Sequence, residues 1–244
     1  MNMPQSFETG RYIKHCDTRW CYKVSCVILS LFVITVSDCK NRSSLSATGT
    51  DSVLTTGHTD STYLFNGKNL DGWEITNFGS QGPVYVSGGN IILGMGEGCT
   101  GITWKGEFPK NYYKVTLEAM RVSGNDFFCA MTFPVGKDPC SLIIGGWAGT
   151  TVGLSSINNK DASANETTRL MEFEKNRWYD ICLEVKGDTI KASIDGKPVI
   201  DFNGKGKKLS IRPEVRLSRP FGIASWYTTA ALRNIRMEKS NIEN

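Results

Sequence analysis

A strict alternation of apolar and polar residues runs from residue 178 to residue 202, WYDICLEVKGDTIKASIDGKPVIDF. Ile181, Leu183 and Val185 occupy every second position, and the alternation resumes after a Lys-Gly-Asp turn. A period of two is typical of strands with one buried face, and Asp195-Gly196 between two such runs predicts a tight hairpin. This segment therefore favours an antiparallel β-sheet.

The rest of the chain beyond Tyr63 follows the same pattern. KVTLEAMRV, residues 114–122, alternates in the same way, and AALRNIRME, residues 230–238, predicts a closing strand. No window of about 12 residues has the apolar period of an amphipathic helix. We therefore predict a single all-β domain with two antiparallel sheets packed as a sandwich or jelly roll.

The N-terminal part has the features of an export signal. Four basic residues precede the apolar run VSCVILSLFVITV, residues 24–36, and a Ser/Thr-rich stretch follows it. The run is too short to cross a hydrocarbon core of ~30 Å as a helix, but it suits a signal peptide. A buried core segment is the alternative.

The sequence VSDC, Val36 to Cys39, resembles the lipobox of bacterial lipoproteins, although Asp38 stands where a small residue is expected. Cys39 is thus a candidate for lipidation, and simple secretion is the alternative. We predict a signal peptide over 1–38, a flexible tether over 39–61 and the folded domain over 62–240. The expected location is the cell envelope, through a lipid anchor at Cys39, or the periplasm or exterior.

Composition argues against several kinds of partner. The net charge is only +4, and no basic stripe suggests a nucleic acid. No histidine follows His58 and no CxxC occurs, which argues against a zinc site. Cys129 and Cys182 lie in apolar runs and are predicted to be core thiols.

Two motifs resemble one known family. LFNGKNLDGW, Leu64 to Trp73, and LRNIRM, Leu232 to Met237, are similar to the opening and closing motifs of the 3-keto-disaccharide hydrolases, also described as 3-keto-glucoside lyases or hydratases. The resemblance implies a concanavalin A-like jelly roll. Physically the opening motif is structural, because Asn66-Gly67 supplies positive φ for a turn and Trp73 is a large apolar anchor.

The family resemblance implies a particular chemistry. A 3-keto group acidifies the proton on the neighbouring carbon, so that one base can remove it and the glycosidic oxygen can leave. No Glu-x-Asp-x-Glu run of the glucanase type is present, and the domain has no histidine. The expected catalytic residues are Glu118, Arg121 and Asp126. A solvated surface pair is the alternative for Glu118 and Arg121.

A second cluster, RPEVRLSRPFGIASWY, combines arginines with aromatic residues, which suits a sugar. The glycine-rich segment around Trp147 could also approach a ligand closely. The expected substrate-binding residues are Trp147, Glu214, Arg219 and Trp226. We expect Glu118, Arg121 and Asp126 to face the same concavity as some of these four. The alternative for the arginine-rich cluster is a solvated loop, and the alternative for the segment around Trp147 is a glycine-bent core strand.

No cofactor is required by this chemistry, but a divalent cation is conceivable. Asp161, Asn165 and Glu166 lie in the oxygen-rich segment NNKDASANET and could ligate Ca²⁺, whereas a polar loop explains them equally well.

Three functions remain open at this point: an exported enzyme acting on 3-keto-glycosides, a non-catalytic carbohydrate-binding module, or a surface interaction domain. A carboxylate with a raised pKa in a groove would favour the first, and an aromatic groove without one would favour the second. A flat polar face would favour the third.

Overall fold

The computed structural model describes residues 61–240. The predicted signal peptide and the tether, including Cys39, lie outside these residues, except for Ser61 at the end of the tether. Residues 61–240 fall within one compact unit. None of their helices is long and apolar enough to cross a membrane.

Within this range the chain is almost entirely β-structure, and its one helix is a short 3-10 helix, Pro213–Ser218. The strands are β1 (Ser61–Tyr63), β2 (Trp73–Ile75), β3 (Val84–Ser87), β4 (Asn90–Leu93), β5 (Cys99–Trp104), β6 (Tyr113–Gly124), β7 (Cys129–Val135), β8 (Asp138–Gly146), β9 (Thr151–Ser155), β10 (Arg169–Leu170), β11 (Trp178–Lys186), β12 (Thr189–Ile194), β13 (Lys197–Asn203), β14 (Gly222–Trp226) and β15 (Thr228–Lys239).

The strands form two antiparallel sheets. The eight-stranded sheet has the order β13-β12-β11-β6-β15-β4-β3, with β1 also paired to β15. The seven-stranded sheet has the order β10-β9-β8-β7-β14-β5-β2. Strands distant in sequence are therefore neighbours, because the chain passes repeatedly from one sheet to the other.

The core lies between the inward faces of the two sheets. Leu117 and Ile181, which are register partners on β6 and β11, contribute from the eight-stranded sheet, and Met131 and Leu142 contribute from β7 and β8. These side chains are at most 2% exposed. The predicted two-layer antiparallel sandwich is confirmed.

The opening motif is structural, as predicted. Gly67 has a φ of 76°. The side chain of Asn66 accepts hydrogen bonds from the N–H groups of Lys68 and Asn69 at 2.8 and 3.0 Å. Trp73 is 7% exposed and its indole N–H donates to the carbonyl of Leu64 at 2.7 Å. A buried indole with its one donor satisfied anchors the motif in the core.

Trp178 also follows a turn and leads directly into a strand, which predicts a core residue, but this prediction is wrong. It lies on the outward face of β11 together with Asp180, whereas Tyr179 and Ile181 point inward. The guanidinium of Arg233 lies 4.1 Å from the centre of its ring. The thiol of Cys182 is on the same outward face and is only partly buried, so its predicted core position is also wrong.

Candidate functional site

A cavity of about 260 Å³ opens on the face of the seven-stranded sheet that points away from the core. We call it the cleft. Its lining combines aromatic, acidic, basic and hydroxyl side chains: Asp126, Phe127, Ser141, Ile143, Trp147, Ser155, Arg212, Glu214, Val215 and Trp226.

The floor of the cleft comes from the outward positions of β8 and β9. Ser141 and Ser155 are register partners, and both are 1% exposed. The hydroxyls of Ser141 and Thr132 lie 2.9 Å apart. These hydroxyls are paired within the sheet, so they form a polar but closed base.

Trp147 occupies a strained turn at the edge of the cleft. It follows β8, and the N–H of Gly149 donates to the carbonyl of Gly146 at 3.2 Å. The two central residues, Trp147 and Ala148, have φ angles of 47° and 65°. This is the pattern of a type I′ turn, in which Asn or Gly is the usual choice. The indole is 38% exposed.

Arg121 holds this turn from the core side. It points inward from β6 and is 5% exposed. Its guanidinium donates to the carbonyls of Gly149 at 2.8 Å and Gly145 at 3.3 Å. It also lies over the ring of Phe128, 5.2 Å from the ring centre. Burial lowers the pKa of Arg121, while the nearby Asp126 acts against that shift.

Asp126 holds the same turn from the cleft side. One carboxylate oxygen accepts the N–H of Phe127 at 2.7 Å, and the other accepts the N–H of Ala148 at 3.3 Å. The carboxylate is thus oriented by neutral backbone donors beside the exposed indole of Trp147. Its backbone N–H is bonded to the hydroxyl of Thr228 at 3.1 Å.

A second carboxylate enters the cleft from the 3-10 helix. Glu214 accepts a hydrogen bond from Arg212 at 2.8 Å, and Arg212 also pairs with Asp161 at 3.0 Å. The hydrogen bond from Arg212 lowers the pKa of Glu214, although burial opposes it. Glu214 is therefore held as a carboxylate rather than as an acid.

Four of the seven predicted site residues meet in the cleft, namely Asp126, Trp147, Glu214 and Trp226. Glu118 and Arg121 do not line it, so the prediction that they share a concavity with Asp126 is wrong. Arg219 does not line it either. Arg121 lies in the core, on the opposite face of β6 from Glu118.

Glu118 lies on the outward face of the other, eight-stranded sheet. Its carboxylate accepts hydrogen bonds from Nε of Arg233 at 2.8 Å and from the amide of Asn234. Burial raises the pKa of Glu118, but the hydrogen bonds and charge of these partners outweigh it and lower the pKa. Glu118 thus forms a surface ion pair with Arg233. The alternative that the sequence left open, a solvated pair of Glu118 with Arg121, is wrong because Arg121 is buried.

Arg219 follows the 3-10 helix and lines a separate hollow with Lys110 and Lys137. Its Nε donates to the carbonyl of Arg216 at 3.2 Å.

Sequence reasoning missed several lining residues. Arg212 belonged to the predicted cluster but was not selected, and Phe127 directly follows Asp126. Ser141 and Ser155 carry no recognisable sequence signal, because only the pairing of β8 with β9 brings them together.

The residues proposed as cation ligands are bound to other protein groups. Asp161 pairs with Arg212, and Glu166 pairs with Lys207 at 2.9 Å. The amide of Asn165 donates to backbone carbonyls, including that of Leu154 at 2.7 Å. Among residues 61–240 no three His, Cys, Asp or Glu side chains cluster as metal ligands would.

Several solved structures share this architecture. Carbohydrate-binding module CBM66 from Bacillus subtilis aligns with a TM-score of 0.50 at 17% identity, over 73% of this chain and 100% of its own. The apo form of the transglycosylase Crh5 gives 0.51 at 14% identity, over 75% and 85%. A galectin-like protein of unknown function from Bacillus subtilis gives 0.50 at 11%, over 69% and 90%. These similarities show the fold, a concanavalin A-like jelly roll.

The sequence itself identifies the family. The model of the 3-keto-alpha-glucoside-1,2-lyase-like domain matches residues 60–238. The chain belongs to this family, which confirms the resemblance of its opening and closing motifs, and it is a carbohydrate-active domain. No curated protein matches the chain in sequence.

Proposed function

We propose that the cleft binds a 3-keto-glycoside and that the domain breaks its glycosidic bond by elimination. The observation that carries the proposal is the carboxylate of Asp126, which backbone N–H groups orient in a cavity that also contains an exposed indole and a guanidinium. Membership of the family supports the choice of a 3-keto sugar.

The cleft has the groups that a sugar ring needs. The indoles of Trp147 and Trp226 offer apolar faces for the C–H face of a ring. Glu214 and Arg212 offer acceptors and donors for its hydroxyl or keto oxygens. This combination in one cavity supports a carbohydrate as the ligand.

The proposed reaction has two steps. Asp126 takes the proton from the carbon between the ketone and the anomeric carbon, and the electron pair moves onto the keto oxygen as an enolate. The enolate then reforms the ketone, a carbon–carbon double bond forms, and the bond from the anomeric carbon to the glycosidic oxygen breaks. The leaving oxygen takes a proton. Subsequent addition of water across the double bond would complete a net hydrolysis.

Asp126 suits the role of base better than Glu214. The hydrogen bond from Arg212 lowers the pKa of Glu214 and makes it a weaker base. Among the described residues, the hydrogen bonds to the Asp126 carboxylate come from backbone N–H groups, and the guanidinium of Arg121 acts on it through charge without a direct hydrogen bond. Arg212 is the cation of the lining and is the group placed to stabilise an enolate oxygen.

Ordinary glycoside hydrolysis is less well supported. That reaction needs one carboxylic acid with a raised pKa to protonate the leaving oxygen. Among the described residues, each carboxylate whose pKa departs clearly from its ordinary value is lowered: Glu118, Glu166 and Glu214.

The described residues include no carboxylate with a clearly raised pKa, and this favours a second candidate function, a carbohydrate-binding module without catalysis. Its cleft would use Trp147 and Trp226 for stacking and the paired charges for hydroxyl recognition. This candidate predicts affinity without turnover.

The experiment that tests the proposal compares a 3-keto-disaccharide with its unoxidised parent. We expect release of the second sugar from the keto form alone, loss of release in Asp126→Asn, and retained binding by that variant. Glu214→Gln is the matched carboxylate control and should weaken binding more than it slows the chemical step. Binding of both sugars with no release would leave the binding-module function, and binding of neither would exclude both.

We also propose that the protein is exported and is lipid-anchored through Cys39. The basic residues before the apolar run, and the VSDC sequence after it, support this proposal. Labelling of cells with a fatty-acid analogue should mark the wild-type protein and leave Cys39→Ser unmarked. Labelling of both, or of neither, would contradict the anchor.

A further inference from the structure

Two large aromatic residues near the cleft share an unusual conformation. Trp147 and Tyr227 have φ angles of 47° and 43°. Both are exposed, at 38% and 47%. Positive φ is rare for residues other than Gly, Asn and Asp, and in a bulky residue it marks strain. Such strain concentrates at functional sites, where other interactions maintain it.

Tyr227 is the single residue between β14 and β15, where the chain passes from the seven-stranded to the eight-stranded sheet. Its N–H donates to the carbonyl of Gly98 at 3.1 Å, which fixes the corner. Its ring lies 5.3 Å from that of Trp226, edge to face. The ring of Tyr227 therefore lies next to an aromatic side chain of the cleft lining.

The corner between β14 and β15 explains why residue 227 has a positive φ, but it does not explain why this residue is a tyrosine. In the turns at Gly67 and Gly196 this chain uses glycine for positive φ, with values of 76° and 72°. Glycine or asparagine would make the same corner at Tyr227 with less strain. The exposed ring beside Trp226 is therefore a candidate for a role in ligand binding.

The size of the cleft indicates what that role is. Its 260 Å³ lies below the ~300–1,000 Å³ of pockets that enclose drug-sized ligands, so a glycoside of two rings would extend beyond it. The exposed ring of Tyr227, in contact with the ring of Trp226, is an aromatic surface beside the cleft lining.

We propose that Tyr227 forms an outer saccharide subsite, which stacks on the ring next to the one held in the cleft. The inference rests on the proposed carbohydrate ligand of the cleft, and it makes that ligand a glycoside of at least two rings. The hydroxyl-bearing ring of Tyr227 suits a pyranose, since one face of a sugar ring is apolar and its edge is polar.

The test uses two ligands that cannot be cleaved. One is 3-keto-1,5-anhydroglucitol, with a single ring, and the other is a C-linked 3-keto-disaccharide, in which CH₂ replaces the glycosidic oxygen. Tyr227→Asn accepts the left-handed conformation and removes the ring. We expect it to bind the disaccharide about 5–10-fold more weakly, to bind the single ring unchanged, and to keep the melting temperature of the wild type or exceed it.

Tyr112 provides the matched control, because it is another aromatic residue with positive φ, 56°, and it precedes β6 at the opposite end from Gly124, the register partner of Thr228. Tyr112→Asn should leave both affinities unchanged, and Tyr227→Phe should keep most of the disaccharide affinity. Equal affinities for the disaccharide in wild type and Tyr227→Asn, or an equal loss for both ligands, would overturn the subsite and leave the cleft as the ligand site. If the wild type binds neither ligand, the proposed function itself fails.

Discussion

Replacement of Arg121 by methionine tests whether this residue supports the Trp147 turn rather than acting on substrate. The change keeps an unbranched apolar stem but removes the guanidinium. The carbonyls of Gly145 and Gly149 then lose their donors inside the protein. An unpaired buried carbonyl costs about 1–3 kcal/mol, and removal of a buried charge offsets part of that loss. We expect the free energy of unfolding to fall by about 2–4 kcal/mol.

Urea unfolding followed by circular dichroism measures this change. Arg177→Met is the matched control, because Arg177 also lies over an aromatic ring, that of Tyr179 at 4.2 Å, but is exposed and paired with Asp195 at the surface. The control should change stability far less. A ¹⁹F spectrum of protein labelled with 5-fluorotryptophan should show the Trp147 signal shifted in Arg121→Met. A stability loss no larger than that of Arg177→Met, with an unmoved Trp147 signal, would refute the supporting role.

Three further outcomes follow from the structure. Glu118→Gln should leave ligand binding and turnover unchanged, because Glu118 lies on the other sheet and pairs with Arg233; a large loss of turnover would restore it as a catalytic candidate. The lowered pKa of Glu214 means that its stabilising contribution is complete above its ordinary value of 4.5 and is lost as the pH falls through the lowered value. Arg212→Gln removes the group that lowers this pKa, so its acid titration should show a smaller loss of stability than the wild type, and a loss of the same size would contradict this role of Arg212. Of the four cysteines in residues 61–240, Cys182 should react first with a thiol reagent, since the others are fully buried, and Cys182→Ser should abolish the early phase.

The sheet architecture could be predicted because alternation with a period of two is a local property of the sequence. The same rule would have corrected two errors, namely the grouping of Glu118 with Arg121 in one site and the placement of Trp178 in the core. Glu118 and Arg121 are three positions apart on β6, so they must point to opposite faces. Trp178 is three positions from the inward-facing Ile181 and therefore points outward. In each case the parity of the spacing, rather than the residue type, decides the face.

The composition of the cleft could be predicted only in part. Asp126 and Trp147 stood out because each follows a strand-like run and lies near glycine. The roles of Arg121 and Arg212 could not be predicted, since they depend on how distant segments pair across the sandwich. The positive φ of Trp147 also depends on distant segments. Contacts from Arg121 and Asp126 maintain a turn that its own residues do not favour.

The central claim is that Asp126 removes the proton next to a 3-keto group. Hydrogen–deuterium exchange on 3-keto-1,5-anhydroglucitol in D₂O tests it most directly, because this sugar has no glycosidic oxygen to leave, so proton removal can be observed without glycosidic cleavage. Proton NMR should show the wild-type protein incorporating deuterium at the carbon between the ketone and C1 well above the buffer rate, with Asp126→Asn at the buffer rate. Exchange by Asp126→Asn at the wild-type rate, or no exchange by a wild-type protein that binds the sugar, would contradict the claim.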